Sequence, residues 1–212
     1  MDVVRTDFQS RAERSAYVAK RYADRLATAG HVLDVGCDER ALQGHLPEGV
    51  DYTGIDIGGD PTFVVDLERI DRLPFDDDAF GFTVCTEVLE HIDTLHHIFD
   101  EMVRVTRGPL LVSLPNCWRA MKKRWFRGRG TPRFYGLPVD RPEDRHKWFF
   151  NVDDVVAFFD THAERRGLRV VDRFVIDKPR NPLDRAARVA VSRGVRPYLN
   201  KHAISVWTLL ER

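Results

Sequence analysis

Cysteine is scarce in this sequence. The chain has 212 residues and only three cysteines, Cys37, Cys85 and Cys117. Because they are odd in number and far apart, they argue against a disulfide framework and against a zinc site. We therefore expect no metal. The sparing use of cysteine is typical of the reducing cytoplasm, where we expect the protein to reside.

Long hydrophobic segments and a net charge are also lacking. No stretch approaches the ~20 consecutive apolar residues that a membrane-spanning helix requires, so we expect no transmembrane contact. The N-terminal residues MDVVRTDFQSRAERS carry charges where a signal peptide has an apolar core. Lysine plus arginine and aspartate plus glutamate both total 33, so the zero net charge gives no reason to expect nucleic acid as a partner.

The charges are unevenly distributed along the chain. From Asp34 to Glu101 there are 18 acidic residues and three arginines, whereas from Trp118 to Lys147 there are ten basic and three acidic residues. This pattern indicates either two differently solvated faces or an acidic half followed by a basic segment that faces the substrate.

Segments of strand length alternate with helical segments along most of the chain. Helices are predicted over 8–29, 93–105 and 153–166, with a weak one over 40–45. Seven strands are predicted at 31–36, 52–56, 62–66, 82–85, 109–115, 168–176 and 203–210. The alternation is typical of an α/β fold with a doubly wound, mostly parallel sheet and helices on both faces. We expect one domain over residues 1–212.

Two segments depart from this alternation. Residues 116–147 contain many glycines, prolines, arginines and aromatic residues, and we interpret them as an irregular lid or insertion. Residues 180–200 contain a short basic amphipathic helix over Leu183–Val195. It is predicted to cover the last two strands, with a position on a membrane surface as the alternative.

Four motifs follow one another in the first half of the chain: VLDVGC at 32–37, YTGID at 52–56, LPFDDDAF at 73–80 and VCTEVLEHI at 84–92. Together they resemble the motif series of class I S-adenosylmethionine (SAM)-dependent methyltransferases, in particular the group that acts on small molecules. Residues 113–149 more loosely resemble bacterial methyltransferase-like proteins associated with methionine biosynthesis. The resemblance implies a Rossmann-like sheet of seven strands whose last strand is antiparallel. It also implies SAM as cofactor and S-adenosylhomocysteine (SAH) as product.

The resemblance also assigns residues to the cofactor. Asp34 and the turn at Gly36 are expected beside the methionine portion. Asp56 ends the second strand, where a carboxylate can accept hydrogen bonds from ribose hydroxyls. Asp66 is expected to accept from the adenine amino group, with a cap of the next turn as the alternative. The full set of implied cofactor-binding residues is Asp34, Gly36, Cys37, Asp38, Asp56, Ile57, Asp66, Leu67, Thr86 and Glu87, with Cys85 also expected at the mouth after the fourth strand.

The turn after the first strand departs from the family pattern. The usual turn is Gly-x-Gly-x-Gly, whereas here it is Gly36-Cys-Asp38-Glu-Arg40. Aspartate tolerates the left-handed backbone region, and Arg40 could be an early helix residue. The carboxylates of Asp38 and Glu39 are unfavourable near the carboxylate of SAM unless they pair with its ammonium group or with Arg40. Either the turn binds SAM in a modified way, or the protein is a non-catalytic relative.

Methyl transfer from a sulfonium is an in-line displacement that depends on alignment and desolvation. A base is needed only when the nucleophile must lose a proton, and His91 and His146 are the candidate catalytic residues, with Tyr135 and Glu87 as further possibilities. The alternative to catalysis is a structural role, in which His91 holds the loop and His146 packs within the lid.

The acceptor is indicated only by class. The fourth strand is not followed by the Asn/Asp-Pro-Pro-Tyr/Phe motif of enzymes that methylate planar amino groups. The basic and aromatic residues of 118–147 suit the binding of a small acidic or phosphorylated metabolite, with RNA as a weaker alternative. The structural alternative is a surface loop without a binding role. A nicotinamide oxidoreductase would need Gly-x-Gly-x-x-Gly after the first strand, which this sequence does not supply.

Overall fold

An eight-stranded sheet forms the centre of the described part of the molecule. The computed structural model describes residues 1–125, 128, 134–142 and 144–212. The strands are β1 (Asp2–Arg5), β2 (His31–Val35), β3 (Asp51–Asp56), β4 (Phe63–Val64), β5 (Phe82–Thr86), β6 (Leu110–Pro115), β7 (Arg169–Asp177) and β8 (Ser205–Glu211). Their order across the sheet is β1-β7-β8-β6-β5-β2-β3-β4.

Neighbouring strands are parallel except at β8, which runs antiparallel to both β6 and β7. This confirms the α/β class and the antiparallel last strand. The predicted number of seven strands is wrong by one, because β1 adds a parallel strand at the edge, with Asp2 opposite Phe174. The strand β1 has only four residues, too few for the alternation that identifies a strand in a sequence.

Helices cover both faces of the sheet, as predicted. They are α1 (Arg11–Arg21), α2 (Ala23–Ala27), α3 (Leu95–Val105), α4 (Cys117–Trp125), α5 (Val152–Arg166), α6 (Pro182–Val191) and α7 (Val195–His202). On one face, Val18 and Leu26 of α1 and α2 share a core with Val32 of β2. On the other face, Phe99 of α3 and Phe159 of α5 pack in a second core. Successive strand residues point to opposite faces, so strands such as β2 and β6 contribute to both cores.

The remaining helix predictions are right in position and inexact in extent. The helix predicted over 8–29 is divided at Tyr22 into α1 and α2. The weak helix predicted over 40–45 is only a 3-10 turn, Gln43–His45. Helix α5 begins after Asn151, whose side chain accepts hydrogen bonds from two backbone N–H groups of the first turn.

The segment 116–147 was predicted to be irregular, and this is wrong for its beginning, which is helix α4. Asn116 precedes α4, and its side-chain amide donates to the carbonyls of Asn200 and Ala203 over 2.9 and 3.1 Å. These contacts with the end of α7 are long-range in sequence, so the local pattern could not indicate them. Four basic or aromatic residues of the predicted lid lie outside the described residues: Phe126, Arg127, Arg129 and Arg133.

The segment 180–200 contains two helices rather than the one predicted. They are separated at Gly194, whose φ of 132° is accessible to glycine. Helix α7 buries Tyr198 and Leu199, whereas α6 buries none of its residues. The covering role predicted for this segment therefore falls mainly to α7. In the described ranges, no helix is long and apolar enough to span a bilayer.

Candidate functional site

The carboxyl ends of β5, β2 and β3 lie side by side at one edge of the sheet. Val35 of β2 is opposite both Ile55 of β3 and Cys85 of β5. The N–H of Gly36 donates to the carbonyl of Ile55 over 2.8 Å, so the turn after β2 rests on the end of β3. Ligands of doubly wound sheets bind at this edge, where neighbouring strands end together.

The turn after β2 has three residues in the left-handed backbone region. Gly36, Asp38 and Arg40 have φ values of 76°, 50° and 55°. They occupy the three positions at which the family's Gly-x-Gly-x-Gly turn has glycine, and a positive φ is a conformation that glycine adopts without strain. The expectation that Arg40 is an early helix residue is wrong. A left-handed residue costs about 1–2 kcal/mol when it has a side chain, and less for aspartate.

Contacts with the loop after β3 offset this cost. The N–H of Asp38 donates to Asp56 Oδ2 over 2.9 Å, and the N–H of Asp60 donates to the carbonyl of Asp38 over 2.9 Å. Arg40 forms its ion pair with Asp60 and not with either acidic residue of the turn. Asp38 instead lies 3.4 Å from Nε of Arg11 in α1. The ion pair of Arg40 with Asp38 or Glu39, which the sequence suggested, is therefore absent from the described part of the structure.

Asp56 lies at the end of β3 and accepts three backbone hydrogen bonds. The donors are the N–H groups of Asp38 at 2.9 Å, Ile57 at 2.7 Å and Gly58 at 3.3 Å. An ionised carboxylate has about four acceptor positions, so one remains for a ligand hydroxyl. Ile57 is 67% exposed and offers an apolar surface next to this carboxylate. The pair fits a ligand with a polar ring and a flat apolar group.

Asp34 and Cys37 lie beneath the turn rather than at its surface. Asp34 is buried and accepts a hydrogen bond from the hydroxyl of Tyr52 over 2.9 Å. Burial raises the pKa of its carboxyl to about 6. The thiol of Cys37 packs against Gly54, and burial raises its pKa to about 12. Both side chains support the turn from below, and only backbone groups of Cys37 face the edge of the sheet.

Asp66 and Leu67 follow β4 and are engaged within the protein. Asp66 Oδ1 accepts from the N–H of Glu68 over 3.0 Å, and Oδ2 lies 3.3 Å from Nε of Arg69. The Leu67 carbonyl accepts from the hydroxyl of Thr94 over 2.9 Å. Asp66 therefore caps the next turn, which was the alternative to a role toward adenine.

The residues after β5 differ in how far they reach the surface. Cys85 is fully buried in the core, so the expectation that it lines the mouth is wrong. Thr86 is opposite Ser113, at the end of the strand. Glu87 has a left-handed φ of 55°, its N–H donates to the Ser113 carbonyl over 3.0 Å, and its carboxylate forms an ion pair with Arg14.

A cleft of about 290 Å³ opens at this edge of the sheet. Arg11 and Arg14 of α1 lie on its wall and connect it to the loops that contain Asp38 and Glu87. The sequence alone indicates no role for this N-terminal segment, because nothing in its local pattern shows that it folds over the sheet. The cleft is lined by Asp7, Phe8, Gln9, Ser10, Arg11, Arg14, Glu87, Ile176, Ile204 and Ser205.

The two candidate catalytic histidines come together, although they are distant in the chain. The ring centroids of His91 and His146 are 4.7 Å apart. Nδ1 of His91 lies 2.5 Å from Asp144, and Nδ1 of His146 lies 2.7 Å from the hydroxyl of Tyr135. Burial, followed by the charge of His91, lowers the pKa of His146 to about 4. Neither histidine is among the residues that line the cleft.

A family model described as a methyltransferase domain matches residues 9–172, which include the turn, Asp56 and both histidines. The chain belongs to this methyltransferase-domain family. A comparison with curated protein sequences finds no match.

Solved structures similar to this methyltransferase-domain protein share its fold at low sequence identity. A SAM-dependent methyltransferase from Archaeoglobus fulgidus has a TM-score of 0.63 and 15% identity, covering 97% of this chain and 96% of the other. Coclaurine N-methyltransferase bound to N-methylheliamine and SAH has a TM-score of 0.56 and 10% identity, covering 99% and 74%. The [4+2]-cyclase SpnF has a TM-score of 0.55 and 15% identity, covering 97% and 86%. The fold therefore accommodates more than one chemistry.

One arginine of the methyltransferase domain is notable for lacking an ion pair. Arg119 in α4 is partly buried, and burial lowers the pKa of its guanidinium. Within the described ranges it forms no ion pair, although the charges of Asp7 and Asp177 act on it. A cation that is partly withdrawn from water without a direct partner is suited to an anionic ligand.

Proposed function

We propose that this protein transfers a methyl group from SAM to a small acidic or phosphorylated acceptor. The observation that carries the proposal is the backbone of the turn at Gly36, Asp38 and Arg40. All three residues have a positive φ, which glycine adopts without strain, and the N–H of Asp38 donates to Asp56. The two residues that stand in place of glycines therefore have a backbone conformation that suits glycine.

When bound, SAM would supply a methyl group on a positively charged sulfur, which transfers by in-line displacement. The chain would hold the ribose through the free acceptor position of Asp56 and contact the adenine through Ile57, with Asp66 and Leu67 nearby. The turn at Gly36 would approach the methionine portion with its backbone N–H groups. Thr86 and Glu87 would stand between the cofactor and the acceptor. The remaining residues of the set, Asp34, Cys37 and Asp38, would position the turn.

The cleft between α1 and the ends of the strands is the proposed acceptor site. Its volume of about 290 Å³ suits a small molecule. Arg11 and Arg14 line it, and the charge of Asp7, another lining residue, acts on Arg119. Because Arg11 and Arg14 are already paired with Asp38 and Glu87, Arg119, which forms no ion pair with a described residue, is the cation that favours a carboxylate or phosphate group on the acceptor. A cleft of this size, in a chain of zero net charge, argues against RNA as the acceptor.

The proposal assigns no proton transfer to His91 or His146, because neither lines the cleft. Alignment of the acceptor with the methyl group, and exclusion of water by α1, are the contributions that the geometry supports. The three cysteines are free and buried, and we place the protein in the cytoplasm, where thiols stay reduced.

The acceptor class can be tested by measuring SAH release with a panel of small carboxylates, phosphate esters and matched neutral analogues. We expect turnover only with the anionic members. Arg119→Gln should raise the KM for them about tenfold through loss of a charge-assisted contact, without an equal loss of kcat. Arg165→Gln, which changes an exposed arginine at the end of α5, is the matched control. Equal turnover of the neutral analogues, or an unchanged KM in Arg119→Gln, would contradict the acidic acceptor.

A second candidate is a binding protein that holds SAM without turnover. It is favoured by the ion pair between Arg11 and Asp38, which occupies the turn with a carboxylate and its counter-ion. The same assay separates the candidates, because a binding protein would bind SAM and release no SAH with any acceptor.

A further inference from the structure

A buried carboxylate and two imidazoles meet where the turn after β5 contacts the segment that follows α4. One carboxylate oxygen of Glu90 and one ring nitrogen from each of His91 and His146 all lie within 4.8 Å of one another. Glu90 and His91 belong to the short 3-10 turn Leu89–His91 after β5, whereas His146 lies in the segment between α4 and α5. The N–H of Lys147 donates to the carbonyl of Glu90 over 2.8 Å and fixes the two segments against each other.

Glu90 has no partner for one of its carboxylate oxygens. Its side chain is 1% exposed, and Oε2 forms no hydrogen bond within the part of the chain that the structure describes. A buried carboxylate oxygen without a hydrogen-bond donor is costly unless a positive charge or a donor accompanies it. Oε2 of Glu90 is therefore a buried acceptor that a bound cation would satisfy.

Both imidazoles are held through one nitrogen, which leaves the other for a ligand. In His91, Nδ1 contacts the Asp144 carboxylate, and Nε2 lies 3.7 Å from Glu90 Oε1. In His146, Nδ1 contacts the hydroxyl of Tyr135. Metal-binding histidines are typically oriented in this way, by a carboxylate or other oxygen on the nitrogen that does not bind the ion.

We propose that Glu90, His91 and His146 bind one divalent first-row transition metal ion. One carboxylate and two imidazoles suit Mn²⁺, Fe²⁺, Co²⁺ or Zn²⁺ better than Mg²⁺ or Ca²⁺, which prefer oxygen ligands alone. Three protein ligands leave coordination positions open for water or for an oxygen atom of another molecule. The site revises the expectation of no metal, which rested on cysteine spacing, and it does not depend on methyl transfer being the activity.

The test is a titration of the full-length, metal-free protein with Co²⁺. Calorimetry and visible absorption measure the binding. We expect one Co²⁺ per chain, displaced by Zn²⁺. Glu90→Gln should fold, because the amide has nearly the size and shape of the carboxyl group, and should weaken Co²⁺ binding by about 100-fold or more. Asp144→Asn, which changes a positioning residue, should weaken it by about 10–100-fold. The matched control is His96→Gln, which changes an exposed histidine that packs against His162 on another part of the surface.

Two results would overturn the proposal. In the first, the folded wild-type protein takes up no Co²⁺. In the second, Glu90→Gln binds Co²⁺ as tightly as wild type, in which case the ion binds elsewhere and the cluster is only a hydrogen-bonded network. Thermal unfolding provides an independent readout, since Co²⁺ should raise the Tm of wild type and of His96→Gln but not of Glu90→Gln.

Discussion

The buried carboxyl of Asp34 gives the protein a pH-dependent stability that one substitution should remove. Its pKa rises from an ordinary value of 3.8 to about 6 in the folded protein, because burial disfavours the charged form. The folded state therefore holds this proton more tightly than the unfolded state. The stability that it contributes is complete below pH 4 and is lost as the pH rises from about 4 to 6. The difference of about two pKa units corresponds to about 3 kcal/mol.

Asp34→Asn cannot ionise and still accepts the hydrogen bond from the Tyr52 hydroxyl. We expect it to be more stable than wild type at neutral pH. The difference in the free energy of unfolding should grow by about 1.4 kcal/mol between pH 5 and pH 7.5. Urea unfolding of both proteins across this range measures the difference. Asp51→Asn, at the exposed start of β3, is the control and should show no such trend. A difference that does not change with pH, or a variant less stable than wild type at pH 7.5, would refute the reasoning.

Two further substitutions test how the site is supported. Gly36→Ala should destabilise the protein by about 1–3 kcal/mol in urea unfolding, because its Cβ would lie 2.1 Å from Val88 Cγ2 at a φ of 76°. Adding Val88→Ala to the Gly36→Ala variant should recover part of the lost stability. The control Gly44→Ala, whose new Cβ would meet no atom within 4 Å, should have little effect on stability. Tyr198→Phe removes a hydroxyl that donates to the buried Asp177 carboxylate over 2.6 Å, and should cost about 1–3 kcal/mol; a cost near zero would contradict this.

The class and order of the fold could be predicted from the sequence because local patterns determine them. Strands such as β2 and β5 are short, mostly apolar segments, and α3 repeats apolar residues at helical spacing. The elements that escaped prediction depend on distant contacts. Helix α4 is attached through Asn116 to the carbonyls at the end of α7, and β1 is a strand only because β7 pairs with it.

The turn of the candidate site shows the same limit. From the sequence, the loss of two glycines indicates a degenerate turn. In the structure, hydrogen bonds with Asp56 and with the N–H of Asp60 hold the backbone of Asp38 in place. Hydrogen bonds of this kind join residues that are about 20 positions apart, so spacing within the motif does not reveal them.

The residues around the histidines were only partly visible in the sequence. His91 and His146 could be named as reactive side chains, but their proximity could not be inferred from their positions. Glu90 was not singled out, because its charge suggests an exposed residue and its burial is a property of the tertiary structure. The same holds for Arg11 and Arg14, which reach the cleft only because α1 folds over the edge of the sheet.

The central claim is that the turn at Gly36 and the carboxylate of Asp56 form a SAM site. Its most direct test is calorimetric titration of the purified protein with SAM and with SAH. Wild type and Asp51→Ala, a control at the opposite end of β3, should bind both ligands, and Asp56→Ala should bind neither while remaining folded. A folded wild-type protein that binds neither ligand, or an Asp56→Ala variant that binds as wild type does, would contradict the account.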